Sequence, residues 1–246
     1  MKMKKKIYKD IVKRFFDIVC SFLGLIFLSP LFLLVAIIIK KEKYGSVIFK
    51  TQRIGKDGKP FKFYKFRSMS EDAPKDCPPA LLESNKYITK FGKFIRKTSI
   101  DELPQLICIL KGDMTIIGYR PCGFNEQDLV EERRKYNVQS TKPGLTGWAQ
   151  VNGRDNLARN IPKKAWYDGQ YVEKLSFWFD LKILFMTVKK VFKLDGVKEG
   201  ACEGFVMEKK ADMEAGYMFD DIATNEDIRI IVSKRPVVAE MNKQVS

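Results

Sequence analysis

One stretch constrains this chain more than any other: residues 18–39, 22 consecutive positions, carry no charged side chain. As a straight helix it would extend roughly 33 Å, enough to cross a bilayer core of about 30 Å. A buried helix of a soluble protein is the competing reading. A cleavable signal peptide fits less well, because its apolar core is usually about 7–15 residues and ends at a small-residue cleavage site. Both flanks are basic: Lys2, Lys4, Lys5, Lys6, Lys9, Lys13 and Arg14 precede the stretch, and Lys40, Lys41 and Lys43 follow it. Positive flanks favour the same side of a membrane for both ends. Ser29-Pro30 interrupts the stretch near its middle, and proline removes a backbone donor and crowds the preceding turn. Each half is too short to span alone. A re-entrant helix-break-helix and a kinked crossing both remain open on this pattern, and either makes the segment a membrane one.

The chain of 246 residues allows one domain, or one domain with an appendage. Lys and Arg total 45 against 30 Asp and Glu, a formal charge of +15. Phosphates, nucleic acid or an anionic lipid surface suit such a balance. No nucleic-acid recognition module is readable, and membrane flanks with phosphate chemistry account for the charge, so nucleic acid is not expected. There is no histidine. Catalytic His dyads and His-bearing zinc sites are excluded, leaving carboxylates, Lys, Arg, Tyr, Ser and Cys. Cys20, Cys77, Cys108, Cys122 and Cys202 form neither a metal knuckle nor a CxxC pair. They read as reduced thiols of a cytoplasmic environment.

Beyond the apolar stretch, residues 47–53 and 60–66 have strand character around Gly55-Lys56-Asp57-Gly58, which predicts a basic hairpin with Lys62, Lys65 and Arg67 placed to meet phosphates. Residues 69–82 read as a surface loop and 86–96 as a helix. Ser99, with Glu102 three residues on, predicts a capping box for a helix carrying Leu103, Leu106, Ile107 and Leu110. A short strand is expected at 115–118. The glycines from Pro143 to Arg154 suit either close approach to a ligand or a structural turn. In the run after Phe177, Leu181, Leu184, Phe185, Val188, Val191 and Phe192 form one helical stripe among lysines, fit for anionic lipid or for the protein core. Residues 205–246 carry eight acids against six bases and no readable chemistry beyond a candidate strand at 228–232.

The assembled motifs resemble the bacterial sugar transferase family, the monotopic phosphoglycosyl transferases. The match runs from about Tyr8 to Lys193. It comprises Ser29-Pro30, Gln52-Arg53-Ile54-Gly55, Lys65-Phe66-Arg67-Ser68-Met69, Asp101-Glu102-Leu103-Pro104-Gln105-Leu106, Leu110-Lys111-Gly112-Asp113-Met114, and the block Pro143-Gly144-Leu145-Thr146-Gly147-Trp148-Ala149-Gln150-Val151-Asn152-Gly153-Arg154. The resemblance implies transfer of a sugar 1-phosphate from a UDP-sugar to polyprenol (undecaprenyl) phosphate, with Mg2+, a covalent aspartyl intermediate and release of UMP. It implies a re-entrant rather than a crossing segment. Asp101 and Glu102 carry over as the catalytic and metal-holding pair, and Arg120 as the phosphate-handling arginine. Lys65 and Arg67 are added as phosphate contacts, and Arg154, Asp168 and Tyr171 as substrate contacts, although Asp168 and Tyr171 also suit structural roles. An aspartate is already ionised near neutral pH and needs no histidine to activate it.

The expected fold is therefore α+β and helix-rich. It divides into a basic lead-in (1–14), a re-entrant membrane helix broken at Ser29-Pro30 (15–43), a catalytic domain with interfacial amphipathic helices (44–204) and an extra segment (205–246). The catalytic domain is expected on the cytoplasmic face of the bacterial inner membrane, against anionic lipids; a homo-oligomer is compatible with the sequence. One departure from the family pattern is Tyr119, where proline usually precedes the arginine. It leaves open a rival reading, a nucleotide-sugar-binding scaffold with weak or no activity.

Overall fold

The computed structural model describes residues 7–42, 45–73, 87–153, 157 and 160–193. Most of the expected loop at 69–82, Arg154, and the segment 205–246 with its candidate strand lie outside these residues. A π-helical turn, Tyr8–Val12, leads into α1 (Lys13–Phe27), and α2 (Ser29–Lys41) follows. Among the described residues no single helix is long and apolar enough to cross a membrane, whereas the stretch through α1 and α2, bent by 59°, is so in combination. The bend satisfies its own backbone. Leu28 adopts φ −89°, ψ 0° between the helices. Ser29 Oγ donates to the Ile26 carbonyl at 2.7 Å, and the Phe32 N–H bonds Leu28 O at 2.9 Å. Pro30 falls in the first turn of α2, where a missing donor is tolerated.

Helix α1 is inside out. Its buried residues are Lys13, Asp17 and Ser21, four apart and so on one face. Ile11, Phe15, Ile18, Phe22 and Ile26 are exposed. The inward stripe finds partners: Lys13 Nζ donates to Asp180, Thr115 Oγ1 lies 2.7 Å from Asp17 Oδ2, and the Ile116 N–H donates to Asp17 Oδ1 at 2.9 Å. Arg14 donates to the carbonyls of Ile109 and Leu110 at 2.6 and 2.8 Å. An outward face this apolar suits lipid. The bent pair is the re-entrant element of an α+β fold, as the sequence leads one to expect.

The basic hairpin comprises β1 (Ile48–Ile54) and β2 (Pro60–Phe66), antiparallel, with Thr51 opposite Phe63 and Arg53 opposite Phe61. Asp57 and Gly58, both at positive φ, make its reversal. One end of the hairpin packs with the membrane element: Phe66 clusters with Val35, Ile39 and Ile95. The other end, Ile54, clusters with Cys122, Leu129, Val130 and Ala165. Helix α3 (Lys90–Lys97) starts four residues later than expected, because the Thr89 hydroxyl accepts the Gly92 N–H at 2.8 Å and caps it there.

The capping box at Ser99 is not formed. Ser99 is left-handed (φ 59°), and the Glu102 N–H bonds the Ser99 carbonyl rather than its hydroxyl. Ile100–Glu102 is a 3-10 turn, and α4 (Gln105–Lys111) begins after Pro104. The expected strand is β3 (Thr115–Ile117), and it pairs in parallel with β4 (Gly144–Thr146) inside the glycine-rich block. There Gly144 and Gly147 admit the backbone of Gly118: a Cβ on Gly147 would lie 1.8 Å from the Gly118 carbonyl oxygen. Helices α5 (Gln127–Arg134), α6 (Trp148–Gly153), α7 (Ile161–Lys174) and α8 (Phe177–Lys193) complete the described fold. Helix α8 has one face in the protein core and one turned outward. Ile183 and Asp180 are buried, while Leu184, Phe185, Val188 and Val191 are exposed; the Phe192 side chain lies outside the described residues. Its outward face adjoins that of α1, with the Phe16 and Phe177 rings 6.2 Å apart.

Candidate active site

Three separate elements bring four of the expected residues together. The 3-10 turn supplies Asp101 and Glu102, β2 supplies Lys65, and the loop after β3 supplies Arg120. Glu102 is clamped: its Oε1 accepts from Arg120 Nη2 at 2.7 Å and Lys65 Nζ at 3.1 Å, and its Oε2 from Arg120 Nη1 at 3.2 Å. Among the described residues Asp101 accepts no hydrogen bond, and Lys65 Nζ stands 4.0 Å from its Oδ2. Both carboxylates are nearly buried, at 6 and 7 % exposure, whereas the Arg120 side chain keeps 37 %.

Burial raises the Asp101 carboxyl above its ordinary range, with Lys65, Arg96 and Arg120 pulling it back and Glu102 adding to the rise. Glu102 chiefly holds Arg120 in its charged form. One carboxylate thus orients the cations while its neighbour keeps lone pairs available. That division suits a nucleophile and its positioning partner.

The other expected contacts lie elsewhere. Arg67 turns to the end of the hairpin, donating from Nε to the Ser46 carbonyl at 2.6 Å and from Nη2 to Ser46 Oγ at 2.7 Å. Asp168 is enclosed with Arg133, whose Nε and Nη2 reach its Oδ2 at 2.9 and 2.6 Å. The Arg133 guanidinium lies 4.8 Å from the centre of the Tyr119 ring, so Asp168 braces the backbone beside Arg120 from beneath. Tyr171 is buried, its hydroxyl 2.8 Å from Ile117 O and 2.9 Å from Asp180 Oδ1.

Sequence reasoning passed over Arg53, Arg96, Glu126 and Lys164 as site residues. Arg53 had a readable signal: in the hairpin register it shares a face with Phe63 and Lys65. The sequence carries no comparable cue for Lys164. A cleft of 340 Å³ between Tyr136 and Trp166, also lined by Gly169 and Gln170, contains none of the clustered residues.

Among the described residues no set of three acidic or cysteine side chains could hold a metal ion alone. The adjacent pair Asp101 and Glu102 fits a hard divalent cation that takes its remaining ligands from substrate phosphate and water.

The family model for bacterial sugar transferase matches residues 8–194. The chain is 42 % identical over 192 residues to the "Uncharacterized sugar transferase EpsL" of Bacillus subtilis, covering 77 % of this chain and 91 % of the relative. It is 40 % identical over 190 residues to the UDP-glucose:undecaprenyl-phosphate glucose-1-phosphate transferase of Escherichia coli, covering 74 % of this chain and 40 % of that one. To the undecaprenyl-phosphate galactose phosphotransferase of Salmonella typhimurium it is 40 % identical over 200 residues, covering 75 % of this chain and 41 % of that one. The chain therefore spans less than half of the latter two relatives and most of the first. On the family match and these identities together, the chain belongs to the bacterial sugar transferase family, an enzyme family of monotopic phosphoglycosyl transferases.

Proposed function

We propose that this protein transfers a sugar 1-phosphate from a UDP-sugar to undecaprenyl phosphate through a covalent aspartyl intermediate and so begins assembly of a glycan or glycoconjugate. The observation that carries this reading is the division of labour between Asp101, which accepts no hydrogen bond among the described residues, and Glu102, clamped by Lys65 and Arg120. In the first step an Asp101 carboxylate oxygen attacks the phosphorus bearing the sugar. The bond from that phosphorus to the bridging oxygen breaks, and UMP leaves with the electron pair. In the second, an oxygen of the acceptor phosphate attacks the same phosphorus. Asp101 is released as carboxylate, and the product is a polyprenol diphosphate sugar.

Lys65 and Arg120 meet the phosphoryl oxygens, the guanidinium through its planar fork. Asp101 and Glu102 would hold Mg2+ with the donor diphosphate; when bound, the ion offsets diphosphate charge and eases departure of UMP. The outward apolar faces of α1 and α8 set the carboxylates at headgroup depth, where a cytosolic donor and a lipid-tethered acceptor can meet. Basic flanks on both sides of the bent pair favour the cytoplasmic face. The printed names of the relatives differ between glucose and galactose, so the proposal stays with the UDP-sugar class.

The test is release of UMP from a panel of UDP-sugars by lipid-supported protein with Mg2+, with and without undecaprenyl phosphate. Acceptor-dependent UMP release with matching lipid diphosphate sugar is expected. Saturable donor binding without turnover across the panel would replace the enzyme by a binding scaffold.

A further inference from the structure

The two cations nearest the carboxylates are already engaged, since Arg120 is paired with both oxygens of Glu102 and Lys65 shares that carboxylate. A nucleotide diphosphate brings more negative charge than these two can meet while they stay there. Two other cations are held loosely or not at all: Arg53, on the hairpin face that carries Lys65, and Lys164, next to Ala165, which packs with Ile54. Arg53 Nη1 stands 3.7 Å from Glu126 Oε2, beyond hydrogen-bond distance. Lys164, half-buried on α7, makes no ion pair with any described residue.

Backbone geometry builds this second group. The Ile54 N–H bonds the Cys122 carbonyl at 3.0 Å, joining the end of β1 to the loop that carries Arg120. Gly123 lets Arg53 lie against that loop, because a Cβ there would stand 2.6 Å from Arg53 Nη1. The Gly123 N–H in turn fixes Glu126 Oε2 at 2.8 Å. Arg53 and Lys65 flank one ring, 5.8 and 5.5 Å from the centre of Phe63, so the two cation groups share a continuous wall. Glu126 interacts electrostatically with Arg53, Arg120 and Lys164. Burial and the neighbouring arginines Arg133 and Arg120 hold the Lys164 ammonium below its usual range, a penalty that an arriving anion relieves.

Position selects which phosphate belongs here. Ile48 at the start of β1 packs beside the re-entrant pair, whereas Ile54 packs with α5 and α7. Arg53 therefore lies about 17 Å along the strand from the membrane end. An acceptor phosphate tethered to an isoprenoid tail approaches from that membrane end; a soluble nucleotide approaches from the other.

We propose that Arg53 and Lys164 form the subsite for the nucleotide-side phosphate of the donor, the group that departs as UMP. This rests on the transferase reading above. Glu126, 3.7 Å from Arg53, gives way to the phosphate.

The test is calorimetric titration of UDP, UMP, uridine and a short-chain prenyl phosphate into the full chain in lipid nanodiscs. Arg53→Gln and Lys164→Met should each weaken UDP and UMP about tenfold, as loss of a charge-assisted contact does. Uridine and prenyl phosphate should be unchanged, Arg53→Lys should keep most of the affinity, and Glu126→Gln should tighten UMP about threefold. Wild-type protein that binds neither UDP nor UMP overturns the transferase reading and this inference with it. Nucleotide binding undiminished by either substitution, or a loss confined to prenyl phosphate, overturns the inference alone.

Discussion

Helices α1 and α5 are built on opposite plans. Helix α5 buries Leu129 and Val130 and turns Asp128, Glu131 and Arg134 outward, as a helix facing water does. Helix α1 buries Lys13, Asp17 and Ser21 and turns phenylalanines and isoleucines outward. In α5 the inward face is held by burial of Leu129 and Val130, with one buried ion pair, Arg133 to Asp168, beside them. In α1, whose surroundings are themselves apolar, it is held by hydrogen bonds and ion pairs to Asp180, Thr115 and the backbone of Ile116. The difference says which surroundings each helix is built for.

The sharpest way to break the comparison lies within α8, which follows both plans at once. Ile183→Asp puts a charge into a fully buried position and is expected to destabilise by more than about 4 kcal/mol, seen as loss of the folded protein in detergent. Phe185→Asp, two residues on at an exposed position, should cost less than about 0.5 kcal/mol in the same assay while lowering partition onto anionic vesicles several-fold. Equal damage from both would erase the distinction between the faces.

Next in size, Asp17→Leu removes the central residue of the inward polar stripe of α1 and strips Thr115 and the Ile116 N–H of their acceptor. Thermal unfolding in detergent should show a loss of about 2–4 kcal/mol, with Asp17→Asn recovering a good part of it. No loss would mean that the inward polar stripe is incidental. Within the site, Lys65→Met should lower kcat/KM about 10- to 100-fold through lost contact to Glu102 and phosphate. Arg67→Met, whose partners are Ser46 and Glu71, should change it less than about threefold. The smallest effect concerns pH. Asp101 reacts as a carboxylate and burial raises its pKa, so activity falls as pH drops, and the acid limb of kcat/KM should lie above the ordinary aspartate value of about 4.

Much of this was legible because it rests on local pattern. The uncharged stretch, the Ser29-Pro30 break and the hairpin at 60–66 follow from charge spacing and turn residues alone. Which face of α1 turns inward was not legible, since it depends on Asp180 and Thr115 far along the chain. The Ser99 box failed for a similar reason: the chain turns left-handed there to swing Asp101 and Glu102 toward Lys65 and Arg120, and that need is set by other elements. The glycines of the 143–154 block pointed to close approach without saying to what; for Gly144 and Gly147 it is the backbone of Gly118, just past β3. The sequence brought Lys65, Asp101, Glu102 and Arg120 into one list, but the division of roles between the carboxylates needed distances.

The most direct measurement is to incubate the protein with Mg2+ and a turnover-competent UDP-sugar labelled in the sugar-bearing phosphate, omit the acceptor, and map the label by peptide mass spectrometry. The account expects sugar phosphate on Asp101, released when undecaprenyl phosphate is added and absent from Asp101→Asn. Rapid acceptor-dependent turnover with no label trapped on the chain, or full activity in Asp101→Asn, would contradict it.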